Sequence, residues 1–240
     1  MEPRAPPRLP IERPSPGMPD PDSPAVGSLP TGGRYPDSEY SSETGTTTIG
    51  LTTAEGVVLA TDMRATLAGR FVTNKNVQKV EQVHPTAALT MVGSVGGAQA
   101  FIRGLRVEAS LYETRRGERM SMQALSTIAG NFARAGPYWA INPILGGVDD
   151  AGTHVYSISP DGGVLGEDYV VTGSGMQLAY GHLEQEYAPD IGIEDAIRVA
   201  AGGIVSATER DSGSGNGIYI ATVTEEGVDI EGHKDVDALL

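Results

Sequence analysis

The patterns along residues 46–240 follow a fixed order: strands, two helices, strands, two helices, and strands again. Strand patterns are short β-branched or alternating runs, whereas helix patterns repeat apolar residues every three or four positions. The predicted strands cover 46–53, 57–61, 86–92, 138–147, 154–159, 169–172, 217–224 and 227–231, and the predicted helices cover 97–116, 121–135, 176–186 and 193–209. Because the helices come in pairs, a doubly wound parallel sheet is disfavoured. The order predicts an α+β fold, a four-layer αββα sandwich of two antiparallel sheets flanked by helix pairs.

Residues 1–45 differ in composition from the rest of the chain. They contain eleven of its 16 prolines and almost no periodic apolar pattern, so they cannot bury enough surface to offset the entropy of ordering. We predict a disordered, proline-rich segment before one folded domain of residues 46–240. No run resembles a secretory signal or a membrane helix, which needs ~18 apolar residues, so no membrane association is expected. The chain has no cysteine, which excludes thiolate catalysis, and a cytoplasmic location is expected.

The net charge of −14 limits the partners that the chain can bind. Nucleic acid is not expected among them, because a phosphate-binding surface needs a basic patch. Only three of the 17 basic residues are lysines, namely Lys75, Lys79 and Lys234. High acidity with little lysine favours adaptation to high salt, and the alternative is an ordinary acidic cytosolic protein. A lysine retained in such a chain is a candidate for a specific role.

The sharpest local feature is the segment Gly45–Thr48, where the proline-rich region meets the first strand. Threonines also begin strands for conformational reasons alone, so they are not by themselves a site. A threonine hydroxyl needs a base, and an N-terminal residue carries one in its α-amine, whose ordinary pKa is about 8. Positive charge from Lys79 would keep the amine of Thr46 neutral, with Asp62 as counter-ion. While Gly45 is attached, that nitrogen is an amide, so cleavage at Gly45–Thr46 would activate the protein.

Seven segments resemble, in order and spacing, the catalytic β subunits of the archaeal-type 20S proteasome, which are N-terminal nucleophile hydrolases. They are TGTTTIGL (44–51), GVVLATDMRAT (56–66), KNVQKVEQV (75–83), MVGSVGGAQ (91–99), LGGVD (145–149), TGSGMQLAYG (172–181) and RDSGSG (210–215). Each segment is a weak signal, but seven in order are specific. The resemblance implies the αββα fold, threonine endopeptidase activity, and self-cleavage that releases residues 1–45 as a propeptide.

The resemblance assigns roles residue by residue. It implies that Thr46 is the nucleophile and that Asp62 and Lys79 activate it. The lysine position depends on one extra residue in 67–71, and without that insertion Gln78 would take the place of Lys79. The Lys-Val-x-x-Val pattern favours Lys79. The residues that resemble the group orienting the N-terminus and a proton-carrying water are Ser174, Asp211 and Ser214.

Substrate contacts are also implied by the resemblance. The backbone N–H of Gly93 resembles the donor that stabilises the oxyanion. The backbone of Thr66 resembles the one that pairs with an extended substrate as an added strand. The residues that fall where the family lines its first specificity pocket are Ala65, Met91 and Val95. Because Met91 is large and apolar, cleavage after hydrophobic residues is expected.

Other chemistries find no support in the sequence. The four histidines, His84, His154, His182 and His233, show no ligand spacing, and we interpret them as surface or loop residues without a metal role. No cofactor is predicted. A Gly-x-Ser-x-Gly elbow is absent, which disfavours a serine hydrolase of that type. A phosphate-binding Gly-Lys-Ser/Thr motif is also absent, so ATP-dependent unfolding would come from a partner.

The resemblance also implies an assembly. β subunits of the family form seven-membered rings, here homo- or hetero-heptameric, stacked between rings of a separate α subunit. An ATP-dependent unfoldase cap would supply unfolded polypeptide substrates. Two alternatives are a non-catalytic structural ring subunit and an amidase of the same superfamily acting on small molecules. The first typically lacks the threonine, aspartate or lysine present here, and the second fits the seven segments poorly.

Overall fold

A computed structural model describes residues 45–67, 69–135 and 141–240. The strands are β1 (Thr47–Thr52), β2 (Val57–Asp62), β3 (Ala65–Leu67), β4 (Phe71–Asn74), β5 (Val80–His84), β6 (Ala87–Thr90), β7 (Ile144–Asp149), β8 (Gly152–Ile158), β9 (Val164–Glu167), β10 (Tyr169–Gly173), β11 (Ile218–Thr224) and β12 (Gly227–His233). The helices are α1 (Val95–Arg116), α2 (Met122–Ala135), α3 (Met176–Glu186) and α4 (Ile193–Thr208), followed by a 3₁₀ turn, Asp237–Leu239.

Two five-stranded antiparallel sheets form the centre of the fold. The first has the strand order β10-β1-β2-β11-β12 and the second the order β5-β6-β7-β8-β9. Helices α3 and α4 pack on the outer face of the first sheet, and α1 and α2 pack on that of the second. A third apolar core lies between the two sheets. The predicted αββα sandwich is therefore confirmed.

Strand β2 shows why the chain builds four layers. Val57 and Leu59 lie in the core between the sheets, whereas Val58 and Ala60 lie in the core beneath α3 and α4. All four residues are fully buried. Because successive side chains of a strand point to opposite faces, an unbroken apolar run places apolar side chains on both. Such a strand is stable only when both of its faces are covered.

Two glycines allow the sheets to approach each other closely. A Cβ atom on Gly50 of β1 would lie 2.8 Å from Ile144 of β7. A Cβ atom on Gly146 of β7 would lie 2.7 Å from Val57 of β2. Larger residues at these positions would push apart the layers that carry the site described below.

Four strands were absent from the sequence prediction: β3, β4, β5 and β9. Strands β3, β4 and β9 are short, and most of β4 and β9 is exposed, so they lack the apolar alternation that marks a half-buried strand. The strand predicted over 138–147 lies partly outside the described residues, and β7 begins at Ile144. The prediction of disorder for residues 1–45 concerns residues outside the described part, apart from Gly45. No helix among the described residues is long and apolar enough to cross a membrane.

Candidate active site

Four neighbouring strands of the first sheet bring the predicted residues to one end of it. Thr46 immediately precedes β1, and Asp62 is the last residue of β2, which runs antiparallel to β1 with Thr48 opposite Thr61. Ser174 directly follows β10, which pairs with the other side of β1. The turn that carries Asp211 and Ser214 leads into β11, whose Ile218 lies opposite Asp62. At this end of the sheet, β1 and β11 therefore begin beside the points where β2 and β10 end.

The hydroxyl of Thr46 lies between a carboxylate and an ammonium group. Thr46 Oγ1 donates to Asp62 Oδ1 at 2.8 Å, and Lys79 Nζ donates to Thr46 Oγ1. Lys79 Nζ also lies 2.7 Å from Asp62 Oδ1. Lys79 precedes β5 of the second sheet, so this contact joins the two sheets. Gln78 points elsewhere, since its amide donates to the carbonyl of Val80 at 3.0 Å.

Asp62 is fully buried, and five donors surround its carboxylate. Besides Thr46 and Lys79, the backbone N–H groups of Thr47, Arg64 and Gly215 donate to it at 2.9–3.0 Å. Such a complete set of donors is what allows a charge to lie buried. Burial of the ammonium lowers the pKa of Lys79 from its ordinary 10.5, and the attraction of Asp62 opposes that shift.

A second group of polar side chains fixes the backbone nitrogen of Thr46. The N–H of Thr46 donates to Ser174 Oγ at 3.1 Å, and Ser174 Oγ donates to Asp211 Oδ2 at 2.7 Å. Ser214 Oγ donates to the same Asp211 oxygen at 2.6 Å. Because Ser214 donates its only hydroxyl proton to Asp211, its oxygen acts as an acceptor towards Thr47. The hydroxyl of Thr47 therefore donates to Ser214 Oγ, at 2.7 Å. The three residues predicted to orient the N-terminus thus lie together at Thr46.

A small pocket opens beside Thr46, and its lining includes Ala65, Met91, Gly93 and Val95. The three side chains predicted for the first specificity pocket therefore share one recess, and it is mainly apolar. Gly93 lies at its wall with φ +89°, a conformation that favours glycine. Thr66 lies in β3, and its Oγ1 accepts the N–H of Gly45 at 3.1 Å.

Arg64 is a site residue that the sequence analysis did not single out. Its Nη1 donates to the carbonyl of Ser212 at 2.9 Å and its Nε donates to Asn216 Oδ1 at 3.0 Å. It also lines the pocket, and its positive charge contributes to lowering the pKa of Lys79. The sequence feature that could have identified Arg64 is its position two residues after Asp62, inside the segment GVVLATDMRAT.

The interpretation of all four histidines as surface or loop residues is wrong for His84. It is the last residue of β5 and is 5% exposed, and its Nε2 lies 2.8 Å from Glu113 of α1. Strand β5 was not predicted, so the burial of its final residue could not be. His154 lies in β8 and contacts Asp149 at 2.9 Å. Within the described residues, no cluster of three or more histidine, aspartate or glutamate side chains could hold a metal ion.

Comparison with known proteins identifies the same family in a family model and in individual relatives. A family model described as "Proteasome subunit" matches residues 42–223. Proteasome subunit beta 2 of Haloterrigena turkmenica is 66% identical over 223 residues, which are 92% of this chain and 94% of that protein. Proteasome subunit beta of Natronomonas pharaonis is 65% identical over 92% of both chains. Proteasome subunit beta 1 of Haloarcula marismortui is 66% identical over 92% of this chain and 91% of that protein.

Proposed function

Because this chain belongs to the proteasome subunit family, as a β subunit, we propose that it is a threonine endopeptidase whose nucleophile is Thr46. The observation that carries this proposal is the position of the Thr46 hydroxyl, which donates to Asp62, accepts from Lys79 and lies beside an apolar pocket. The family predicted from the sequence is confirmed, and its relatives come from haloarchaea, in agreement with the predicted salt adaptation.

The contacts around Thr46 support a specific order of steps on a peptide substrate. The free amine of a mature Thr46 takes the hydroxyl proton through a water molecule, and Oγ1 attacks the substrate carbonyl carbon. The ammonium of Lys79 stabilises the oxygen as it loses its proton, and the N–H of Gly93 stabilises the oxyanion. The amine part of the substrate leaves with a proton. Water then hydrolyses the threonyl ester and restores the hydroxyl.

We propose that the same hydroxyl activates the subunit. Oγ1 attacks the carbonyl carbon of Gly45, the Gly45–Thr46 C–N bond breaks, and the nitrogen of Thr46 takes a proton. The ester thus formed is hydrolysed, which leaves a carboxylate on Gly45 and a free amine on Thr46. Asp62 already accepts a hydrogen bond from the hydroxyl while Gly45 is attached, which supports attack in the precursor. Residues 1–45 would then be a propeptide, and residues 46–240 the mature enzyme.

The assembly is also part of the proposal. We expect seven-membered β rings between rings of α subunits in the cytoplasm, with an ATP-dependent unfoldase supplying polypeptide. The apolar pocket beside Thr46 supports cleavage after hydrophobic residues. Fluorogenic peptides with hydrophobic, basic and acidic residues before the cut would test this, and faster turnover of the charged peptides would contradict it.

Replacement of single threonine hydroxyl groups tests the proposed nucleophile. Thr46→Ala should abolish peptide turnover by the assembled particle, because the attacking oxygen is gone. Thr52→Ala is the matched control, since Thr52 ends the strand that Thr46 precedes, and its hydroxyl binds the carbonyl of Asp168 and the hydroxyl of Tyr187. It should keep turnover close to that of the wild type. Turnover by the Thr46→Ala particle would refute the proposed nucleophile and would favour a structural ring role for the subunit.

A further inference from the structure

The residue before the proposed cut is in close contact with a second glycine. A Cβ atom on Gly45 would lie 2.3 Å from the Cα of Gly213. A Cβ atom on Gly213 would lie 2.4 Å from the Cα of Gly45 and 2.9 Å from its carbonyl carbon. On its other side, the N–H of Gly45 donates to Thr66 Oγ1 at 3.1 Å. Gly45 thus lies between the hydroxyl of Thr66 and the backbone of Gly213.

Space, rather than backbone conformation, requires glycine at position 213. Gly213 does not have a positive φ, in contrast to Gly93 at +89° and Gly173 at +98°. An alanine there would therefore meet no strain of the left-handed backbone region. What it could not do is keep the present distance, because the opposing atoms belong to backbone and cannot rotate away.

We propose that Gly213 is a positioning residue for self-cleavage that restricts the residue before the cut to glycine, and that the processed enzyme does not need it. This inference rests on the proposed function. A side chain at position 213 would displace the carbonyl carbon of Gly45 from Thr46 Oγ1, and a misplacement of about 1 Å can cost about 100-fold in rate. After cleavage Gly45 departs, and the nearest atom left is Ser174 Oγ at 3.0 Å, a contact that a shift of a few tenths of an ångström would relieve.

The first experiment measures how fast the full chain is cut. Wild type, Gly213→Ala and Gly45→Ala are assembled into particles, and intact mass follows the loss of residues 1–45 with time. We expect both variants to be cut about 100-fold more slowly than the wild type. Gly181→Ala is the matched control, because a Cβ atom there meets nothing within 4 Å, and it should be cut at the wild-type rate.

The second experiment measures the enzyme after cleavage by another route. In the full chain, residues 39–45 are replaced by a recognition sequence for an added protease that cuts after its last residue, directly before Thr46. Once released in this way, Gly213→Ala should hydrolyse peptides within about threefold of the released wild type, as small changes outside contacts with the reacting atoms usually permit. This turnover also shows that the variant folds and assembles.

Each of the remaining outcomes would contradict a specific part of the proposal. Cutting of Gly213→Ala at the wild-type rate would remove the positioning role. A released Gly213→Ala enzyme without activity would mean that Gly213 serves the mature site, against the inference. Equal slowing in Gly181→Ala would make the effect nonspecific and would overturn it too. A wild-type chain that is never cut before Thr46 would instead refute the proposed function.

Discussion

The two ends of strand β5 carry comparable buried titratable side chains with different surroundings. Lys79 immediately precedes the strand and His84 ends it, and each is 5% exposed. Lys79 pairs with Asp62 at 2.7 Å, and His84 pairs with Glu113 at 2.8 Å. At about 3.3 Å per residue, the two pairs lie about 17 Å apart along the strand. One strand therefore presents both a candidate active site and a pair with no assigned chemistry.

The difference lies in what surrounds each pair. Asp62 is fully buried and receives five hydrogen bonds, whereas the side chain of Glu113 is 32% exposed. The lysine pair contacts the Thr46 hydroxyl beside a mainly apolar pocket, whereas His84 borders a recess that includes the polar side chains of Asp149 and Arg119. Burial and pairing alone are weak evidence for function, since structural ion pairs share them. The Thr46 hydroxyl and the mainly apolar lining of the pocket beside it distinguish the candidate site.

The largest expected effect separates the two ends of β5 directly. Lys79→Ala should reduce peptide turnover by about 1,000-fold, within the range for loss of a group that assists proton transfer. It should also destabilise the fold by about 3–5 kcal/mol, because Asp62 is left as a buried, unpaired charge. His84→Ala should lower stability while turnover by the folded protein stays near the wild-type value.

Peptide hydrolysis and thermal unfolding of the two variants measure these effects side by side. Glu113 can turn towards solvent when its partner is removed, so the His84 variant should lose less stability. Equal losses of turnover in both variants would show that the ends of β5 do not differ in function.

An intermediate effect is expected at the group that holds the Thr46 nitrogen. Ser174→Ala removes both the acceptor of the Thr46 N–H and the hydroxyl that donates to the Asp211 carboxylate. Hydrogen bonds to charged groups contribute about 1.5–3 kcal/mol, or roughly 10- to 100-fold in rate. The loss should appear in kcat, with KM little changed, because Ser174 does not line the pocket. Ser212→Ala is the control, as its hydroxyl binds the carbonyl of Gly69. A change confined to KM would contradict a role in orienting the nitrogen.

The smallest expected effect is on stability and concerns Asp149, which lines the recess beside His84. Partial burial raises the pKa of Asp149, but hydrogen bonds from the N–H groups of Met122 and Ala151 and from His154 outweigh it and hold the pKa below the ordinary 3.8. Asp149 therefore stabilises the fold above pH 3.8, and this contribution is lost as the pH falls through the lowered pKa. Its bond to Met122 caps the start of α2 at 2.6 Å.

Asp149→Ala should cost about 1 kcal/mol near neutral pH, a typical value for loss of a helix cap. That corresponds to a fall in Tm of about 2–4 °C for a domain of this size. The deficit should shrink below pH 3.8, and turnover should be unchanged. Asp150→Ala, at the exposed neighbouring position, is the control. A deficit that grows on acidification would show that the sign assigned to Asp149 is wrong.

The layered fold could be predicted from sequence because its long elements carry strong periodicity. The prediction for α3 agrees with Met176–Glu186, and that for α4 differs from Ile193–Thr208 by one residue. Strands β4 and β9 could not be found in this way, since exposed edge segments need no apolar alternation. The burial of His84 could not be predicted either, because it depends on strand β5 and on a partner far away in sequence.

The candidate site was predicted mainly through the family resemblance. Lone residues such as Asp211 or Ser214 have no sequence signal of their own, because turn carboxylates and serines next to glycine are common. The contact between Gly45 and Gly213 could not be predicted at all. It arises from two backbone segments 168 residues apart in the chain, and nothing in either local sequence specifies that they meet.

The intact mass and N-terminal sequence of the subunit taken from assembled particles test the role of Thr46 most directly. We expect the wild-type subunit to begin Thr-Thr-Thr-Ile-Gly at Thr46, and Thr46→Ala to retain residue 45 and everything before it. A mature subunit that begins at any other position, or a Thr46→Ala subunit cut before residue 46 in the absence of other active subunits, would contradict that role.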